Sequence, residues 1–119
     1  MLKTTGRKLV ALSNSSHVLV EKQLTGAGLR SLFDEMLSVE MLGTYKPNLA
    51  VYQWAQRSLS MPASQAMMVA AHGWDVGGAK LASMNTAFVA RPGQFLYPLA
   101  PSPDLVVENL CQLSAIFGT

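Results

Sequence analysis

The stretch "VAAHGWD", residues 69–75, places an imidazole (His72), an indole (Trp74) and a carboxylate (Asp75) directly after a run of small and branched apolar side chains. Two further spots carry groups of the same kind. Ser13 and Asn14 in "LSNSS" put a hydroxyl beside a carboxamide, and Lys46 in "YKP" puts a point cation at the start of a rigid loop. A Ser–Asn pair can hold an oxygen or a halide without adding charge. Each group also has a plain structural use: a turn cap for Ser13–Asn14, a solvated lysine for Lys46, a helix cap for Asp75. What argues for chemistry is their common placement after strands.

The elements that must position them are legible in the apolar pattern. "KLVALSN" reads as a short buried strand, followed by a helix over "SSHVLVEKQLTGAGL" with Ser15 or Ser16 as N-cap and Gly26 and Gly28 as stop signals. "FDEMLSV" is a weaker strand. Pro47 holds Lys46 extended and occupies the first turn of a helix that runs to about Leu59. "QAMMVAAH" is a second buried strand, "DVGGAKLASM" a helix with Asp75 at its N-terminus, and "TAFVAR" a third convincing strand. After the prolines of "APSPDLVVENLCQLSAIF" come a short extended piece and a closing helix. Alternating strands and helices at these spacings predict right-handed βαβ units: an α/β fold, a three-layer, Rossmann-like parallel sheet with flanking helices. Ligands of such sheets bind beyond the carboxyl ends of the strands, where the three clusters lie.

Composition narrows the rest. The 119 residues suit one domain, 1–119. Charged residues are only 13%, against about a quarter in an average soluble chain, so part of the surface is expected to be covered. A net charge of +2, with scattered Lys and Arg, argues against nucleic acid. No apolar run is long enough to span a membrane, and "MLKTTGRK" lacks a signal-peptide core; a cytoplasmic domain is expected. Cys111 reads as a buried free thiol, Met61, Met67, Met68 and Met84 as core filler, Trp54 as core, and His17 as exposed and idle.

"LSNSS", "YKP" and "VAAHGWDVGGAKLA…TAFVARPG", in that order, resemble three of the four signature motifs of the haloacid dehalogenase superfamily, and within it the L-2-haloacid dehalogenase branch. The tail "YPLAPSPDLVVENLCQL" is similar to the ending of that branch, so the resemblance runs from Lys8 to the last helix. It implies hydrolysis of a 2-haloacid. An aspartate attacks the carbon bearing the halogen, halide leaves, and water hydrolyses the resulting ester. On the matching positions, Ser13 and Asn14 would contact the substrate carboxylate. Lys46 would neutralise and orient the nucleophile. Asp75 would hold Lys46 and help place the water, with Tyr52, His72 and Trp74 near the substrate. No cofactor or metal is expected, because Ala71 stands where phosphatases of the superfamily carry a magnesium-binding aspartate. At His72 the dehalogenases of that branch carry an asparagine; a histidine still donates and accepts hydrogen bonds. Ser83 replaces a glycine, which reads as a packing detail.

The motif bearing the nucleophile, "DxxGT" at the end of a first strand, has no counterpart here, nor does the helical cap domain. Asp34 and Asp104 are not placed to serve as nucleophile. The resemblance therefore implies a C-terminal half of the core, inactive alone, whose sheet lacks its central strand between the strands ending at Ser13 and His72. Either those strands pair directly, or a second copy fills the gap, or a complementing N-terminal half does so. A homo-oligomer or such a complement is expected as partner. The alternatives are a non-catalytic α/β assembly or binding module, and a phosphatase-type fragment.

Overall fold

The computed structural model describes residues 7–96, 98 and 100–117. Its strands are β1 (Val10–Ser13), β2 (Glu35–Ser38), β3 (Met67–Ala70), β4 (Asn85–Val89) and β5 (Leu105–Val107). Its helices are α1 (His17–Gly26), α2 (Leu49–Ser58), α3 (Gly73–Leu81) and α4 (Leu110–Phe117). All strand pairs are parallel, with Val10 opposite Glu35, Met67 opposite Asn85 and Ala87 opposite Leu105. The architecture is the predicted Rossmann-like one, parallel sheet with flanking helices.

The sheet is interrupted. β1 and β2 form one two-stranded sheet; β3, β4 and β5 form a separate three-stranded one. Direct pairing of β1 with β3 is therefore not how the gap is closed. The two edges nevertheless face a common layer: Leu12 of β1 and Met68 of β3 both pack on the cluster of Tyr52, Ala79, Ala82 and Met84. Every residue of β1 and of β3 is only half-buried, whereas β4 is buried from Thr86 to Val89. Parallel strands with runs as apolar as "VAL" and "MMVA" are normally covered on both faces. On the opposite face, Met67, Val69 and Ala71 meet Ala87, Val89, Val107 and Leu113 under α4. The alternation of successive side chains gives each strand a share of both layers.

Local signals explain the element ends. Ser16 caps α1, its hydroxyl oxygen accepting from the Leu19 N–H at 3.2 Å. Gly28 follows the helix at φ +72°, where glycine bears no Cβ penalty. α2 differs from expectation: Asn48 is the cap, accepting from the Ala50 N–H at 2.9 Å, so Pro47 precedes the helix and does not fill its first turn. The Lys46–Pro47 bond is cis. α3 starts two residues before its predicted N-terminus, at Gly73; His72 takes the cap position, and Asp75 is the third helical residue rather than the cap. Its carboxylate is thereby free for tertiary contacts.

Three expectations change in detail. Cys111 is exposed, not buried, because it lies on the outer face of α4 while Leu113 points into the core. Trp54 is half-buried, on a helix whose buried face is Val51, Tyr52 and Ala55. Ser83 has φ +68° and ends α3 with its N–H bonded to Lys80 O and the Met84 N–H bonded to Ala79 O. That is a left-handed helix terminus, so glycine suits this position for backbone reasons and not for packing. Met84 is buried, and Met67 and Met68 pack on the two core clusters.

Candidate functional site

The loop after β1, the turn before α2 and the first turn of α3 converge at the carboxyl ends of β1 and β3. Lys46 joins them. Its Nζ donates to Asp75 Oδ2 at 2.7 Å and to the backbone carbonyl of Leu12 at 3.0 Å. Those acceptors belong to β1 and to the helix following β3, so the ammonium stands at the mouth of the gap between the two sheets. Both side chains of the pair are nearly out of solvent, at 10% and 8% exposure.

Asn14 fixes the backbone of that lysine. Its Oδ1 accepts from the Lys46 N–H at 2.8 Å, and its Nδ2 donates to the Lys46 carbonyl at 3.4 Å. Ser13 Oγ accepts from the Ser15 N–H at 3.0 Å, while the Ser38 hydroxyl donates to the Ser15 carbonyl at 2.6 Å, which ties the turn after β1 to the end of β2. Tyr52 fixes the aspartate from below. It is fully buried, and its hydroxyl donates to Asp75 Oδ1 at 2.7 Å, with the Asp75 carbonyl at 3.1 Å. Burial, then the hydrogen bond to Asp75 and the nearby negative charge, push the Tyr52 phenol well above its ordinary range. It therefore remains a proton donor throughout the neutral range.

Trp74 and His72 form the outer wall. The Lys46 ammonium lies 5.9 Å from the Trp74 ring centroid, and the imidazole leans on the same indole at 5.5 Å between centroids, tilted by 48°. A cation over an indole face at this range is worth about 0.5–1 kcal/mol when exposed. His72 also lines a cleft of about 400 Å³ with Ala70, Ala71, Arg91 and Gln94 at the ends of β3 and β4.

A lysine ammonium has three N–H donors. Two are held here, and the third has no acceptor among the described residues. A fixed, partly desolvated cation with one donor left is equipped to receive an oxyanion or to neutralise a second carboxylate. No three His, Cys, Asp or Glu side chains converge among the described residues. Among the described residues, no helix is long and apolar enough to cross a membrane.

The structure thus brings Ser13, Asn14, Lys46, Tyr52, His72, Trp74 and Asp75 to one place. It arranges them differently from expectation in two respects. The Asn14 carboxamide is committed to Lys46, and Tyr52 reaches the site only through Asp75. Sequence reasoning missed the Leu12 carbonyl, which has no side-chain signal.

Comparison with known proteins gives a consistent picture. A family model described as haloacid dehalogenase-like hydrolase matches residues 1–89. An (S)-2-haloacid dehalogenase of Pseudomonas sp. (strain YL) is 34% identical over 118 residues, covering 99% of this chain and 51% of the relative. A haloacetate dehalogenase H-2 of Moraxella sp. (strain B) is 26% identical, covering 89% of this chain and 47% of the relative. The L-2-haloacid dehalogenase of Xanthobacter autotrophicus, solved with chloropropionic acid covalently bound, superposes with a TM-score of 0.90 at 26% identity, over 96% of this chain and 56% of that one. The chain spans about half the length of the curated relatives it matches.

Proposed function

Given that this chain belongs to the haloacid dehalogenase-like hydrolase family, we propose that it forms the lysine–aspartate half of a site that hydrolyses the carbon–halogen bond of small 2-haloacids. The observation that carries the reading is Lys46, held by Leu12 and Asp75 at the mouth of the gap between β1 and β3 with one N–H to give. The nucleophile is an aspartate on a strand seated in that gap and supplied from outside these 119 residues. Its carboxylate displaces halide from C2 to form an ester. Water then attacks the ester carbonyl, releasing the hydroxy acid and regenerating the carboxylate.

Each residue has a part in this scheme. Lys46 keeps the incoming carboxylate ionised and steadies the charge that develops on its oxygens during ester hydrolysis. Asp75 and Tyr52 hold the ammonium in place from below, and Asn14 holds its backbone. Ser13 offers its hydroxyl to the substrate carboxylate, with Trp74 and His72 as the wall around the alkyl group and the water. Support for the substrate class comes from the Xanthobacter relative, which carries chloropropionic acid covalently bound. Ala71 provides no oxygen ligand beside Asp75, which favours this over phosphoryl transfer.

The partner in this reading is a complementing polypeptide that bears the missing strand and its aspartate. The half-buried edges of β1 and β3 support it, since unpaired strand edges of such apolarity are costly to leave open. A cytoplasmic setting belongs to the same proposal, supported by a single cysteine that leaves no disulfide within these residues. The test is mass spectrometry of the complemented protein quenched during turnover of 2-chloropropionate. The adduct is expected on the supplied aspartate; an adduct on the 119-residue chain contradicts the assignment.

A further inference from the structure

We propose that Gly78 is a positioning residue of this site: the space left by its missing Cβ seats the Tyr52 phenol and Pro47, and through them sets the aim of Lys46. Its significance for catalysis rests on the function proposed above, whereas the geometry does not. Asp75 and Gly78 are three residues apart on α3 and share a face of the helix. A Cβ at position 78 would lie 2.9 Å from Tyr52 Cε2, 2.9 Å from the Tyr52 hydroxyl oxygen and 2.9 Å from Pro47 Cβ. Carbon atoms pack at about 3.5–4.0 Å, so something must move.

Neither neighbour can yield without cost to the site. Tyr52 is fully buried and packed with Ala79, Ala82 and Met84, so its ring has no room to retreat. Pro47 is rigid and is bonded directly to Lys46, whose backbone Asn14 brackets. An added methyl group therefore displaces either the phenol from Asp75 or the lysine from its place. The adjacent Gly77 is a natural contrast. A Cβ there would strike Ala100 Cβ at 2.6 Å and no atom of Tyr52 within reach. Glycine inside a helix is less favourable than alanine, so a glycine there needs a reason. The two glycines answer different needs, Gly77 the packing of the segment around Ala100 and Gly78 the site.

The test is exchange of the Tyr52 hydroxyl proton with water at neutral pH, followed in the 119-residue chain by NMR of ring-labelled tyrosine and assigned with Tyr52→Phe. In Gly78→Ala that exchange is expected to quicken by roughly tenfold or more, as the phenol loses its enclosure and the Asp75 contact. In Gly77→Ala it is expected to stay as slow as in the unsubstituted chain. Unchanged exchange in Gly78→Ala, or an equal acceleration in Gly77→Ala, overturns the proposal. If Gly78→Ala does not fold, Gly78→Ala with Tyr52→Ala is compared with Tyr52→Ala alone. With two of the three close contacts gone, the added methyl is expected to lower the denaturant midpoint less than it does in the unsubstituted chain, and loss of folding in the double variant where Tyr52→Ala folds overturns the proposal. No turnover enters these readouts, so a failed dehalogenase assignment would leave them untouched.

Discussion

At the scale of single residues, one ammonium ties the site together. Replacing Lys46 by Met leaves the Asp75 carboxylate nearly buried with only Tyr52 to hold it, and is expected to destabilise the chain by about 3–5 kcal/mol. The double substitution Lys46→Met with Asp75→Leu is expected to recover most of that loss, because no unpaired buried charge remains; urea denaturation of the three proteins measures both. Ser83→Gly is expected to stabilise by about 1 kcal/mol, read as a higher denaturant midpoint, since a left-handed φ of +68° disfavours any residue with a Cβ. Tyr52 gives a pH dependence. Its folded-state pKa is raised, so its contribution is complete below the unfolded value near 10 and is lost as pH rises beyond it. Alkaline unfolding of Tyr52→Phe should accordingly be less steep. Ser13, Lys46 and Asp75 were legible because polar side chains stand out after apolar strands. The Leu12 carbonyl and the Gly78 gap were not, since a backbone atom and an absent side chain carry no chemical label.

At the scale of elements, the strands and helices followed from apolar runs, caps and glycines, and the departures lie at helix starts. Asn48 outcompetes Pro47 as the start of α2, and α3 begins early enough to bring Asp75 inside its first turn. Both shifts are a matter of one or two residues, yet the second decides whether the carboxylate caps a helix or grips a lysine. A clasp at the other end of α3 was not foreseen at all. Asp104, just before β5, accepts from Lys80 Nζ of α3 at 2.7 Å and from the Thr86 N–H of β4 at 2.8 Å, and its own N–H donates to Thr86 Oγ1 at 3.2 Å. The hydrogen bond from Lys80, then that from the Thr86 backbone, holds the Asp104 carboxyl below its ordinary range. A lowered folded-state pKa stabilises above the unfolded value and loses that effect as pH falls through the folded one. The stability gap between Asp104→Asn and the unsubstituted chain should therefore be present at neutral pH and close in acid. It should be small and shrink with salt, because the carboxylate is more than one-third exposed.

At the scale of the molecule, the parallel order of the strands was predictable from the βαβ pattern, and the manner in which the gap is handled was not. Hydrophobic periodicity reports which faces a strand buries, but says nothing of which edges pair. The structure keeps β1 and β3 in separate sheets over a shared core layer, with Lys46 bridging their carboxyl ends. The central claim is that this chain supplies one half of a haloacid-hydrolysing site and needs a strand-borne aspartate to complete it. It is tested most directly by halide release from 2-chloropropionate, measured for the chain alone and for the chain mixed with a polypeptide carrying the first half of a dehalogenase. No release is expected from the chain alone, and the mixture is expected to show release that Lys46→Met abolishes. Steady release by the chain alone, or release from the mixture that survives Lys46→Met, would contradict it.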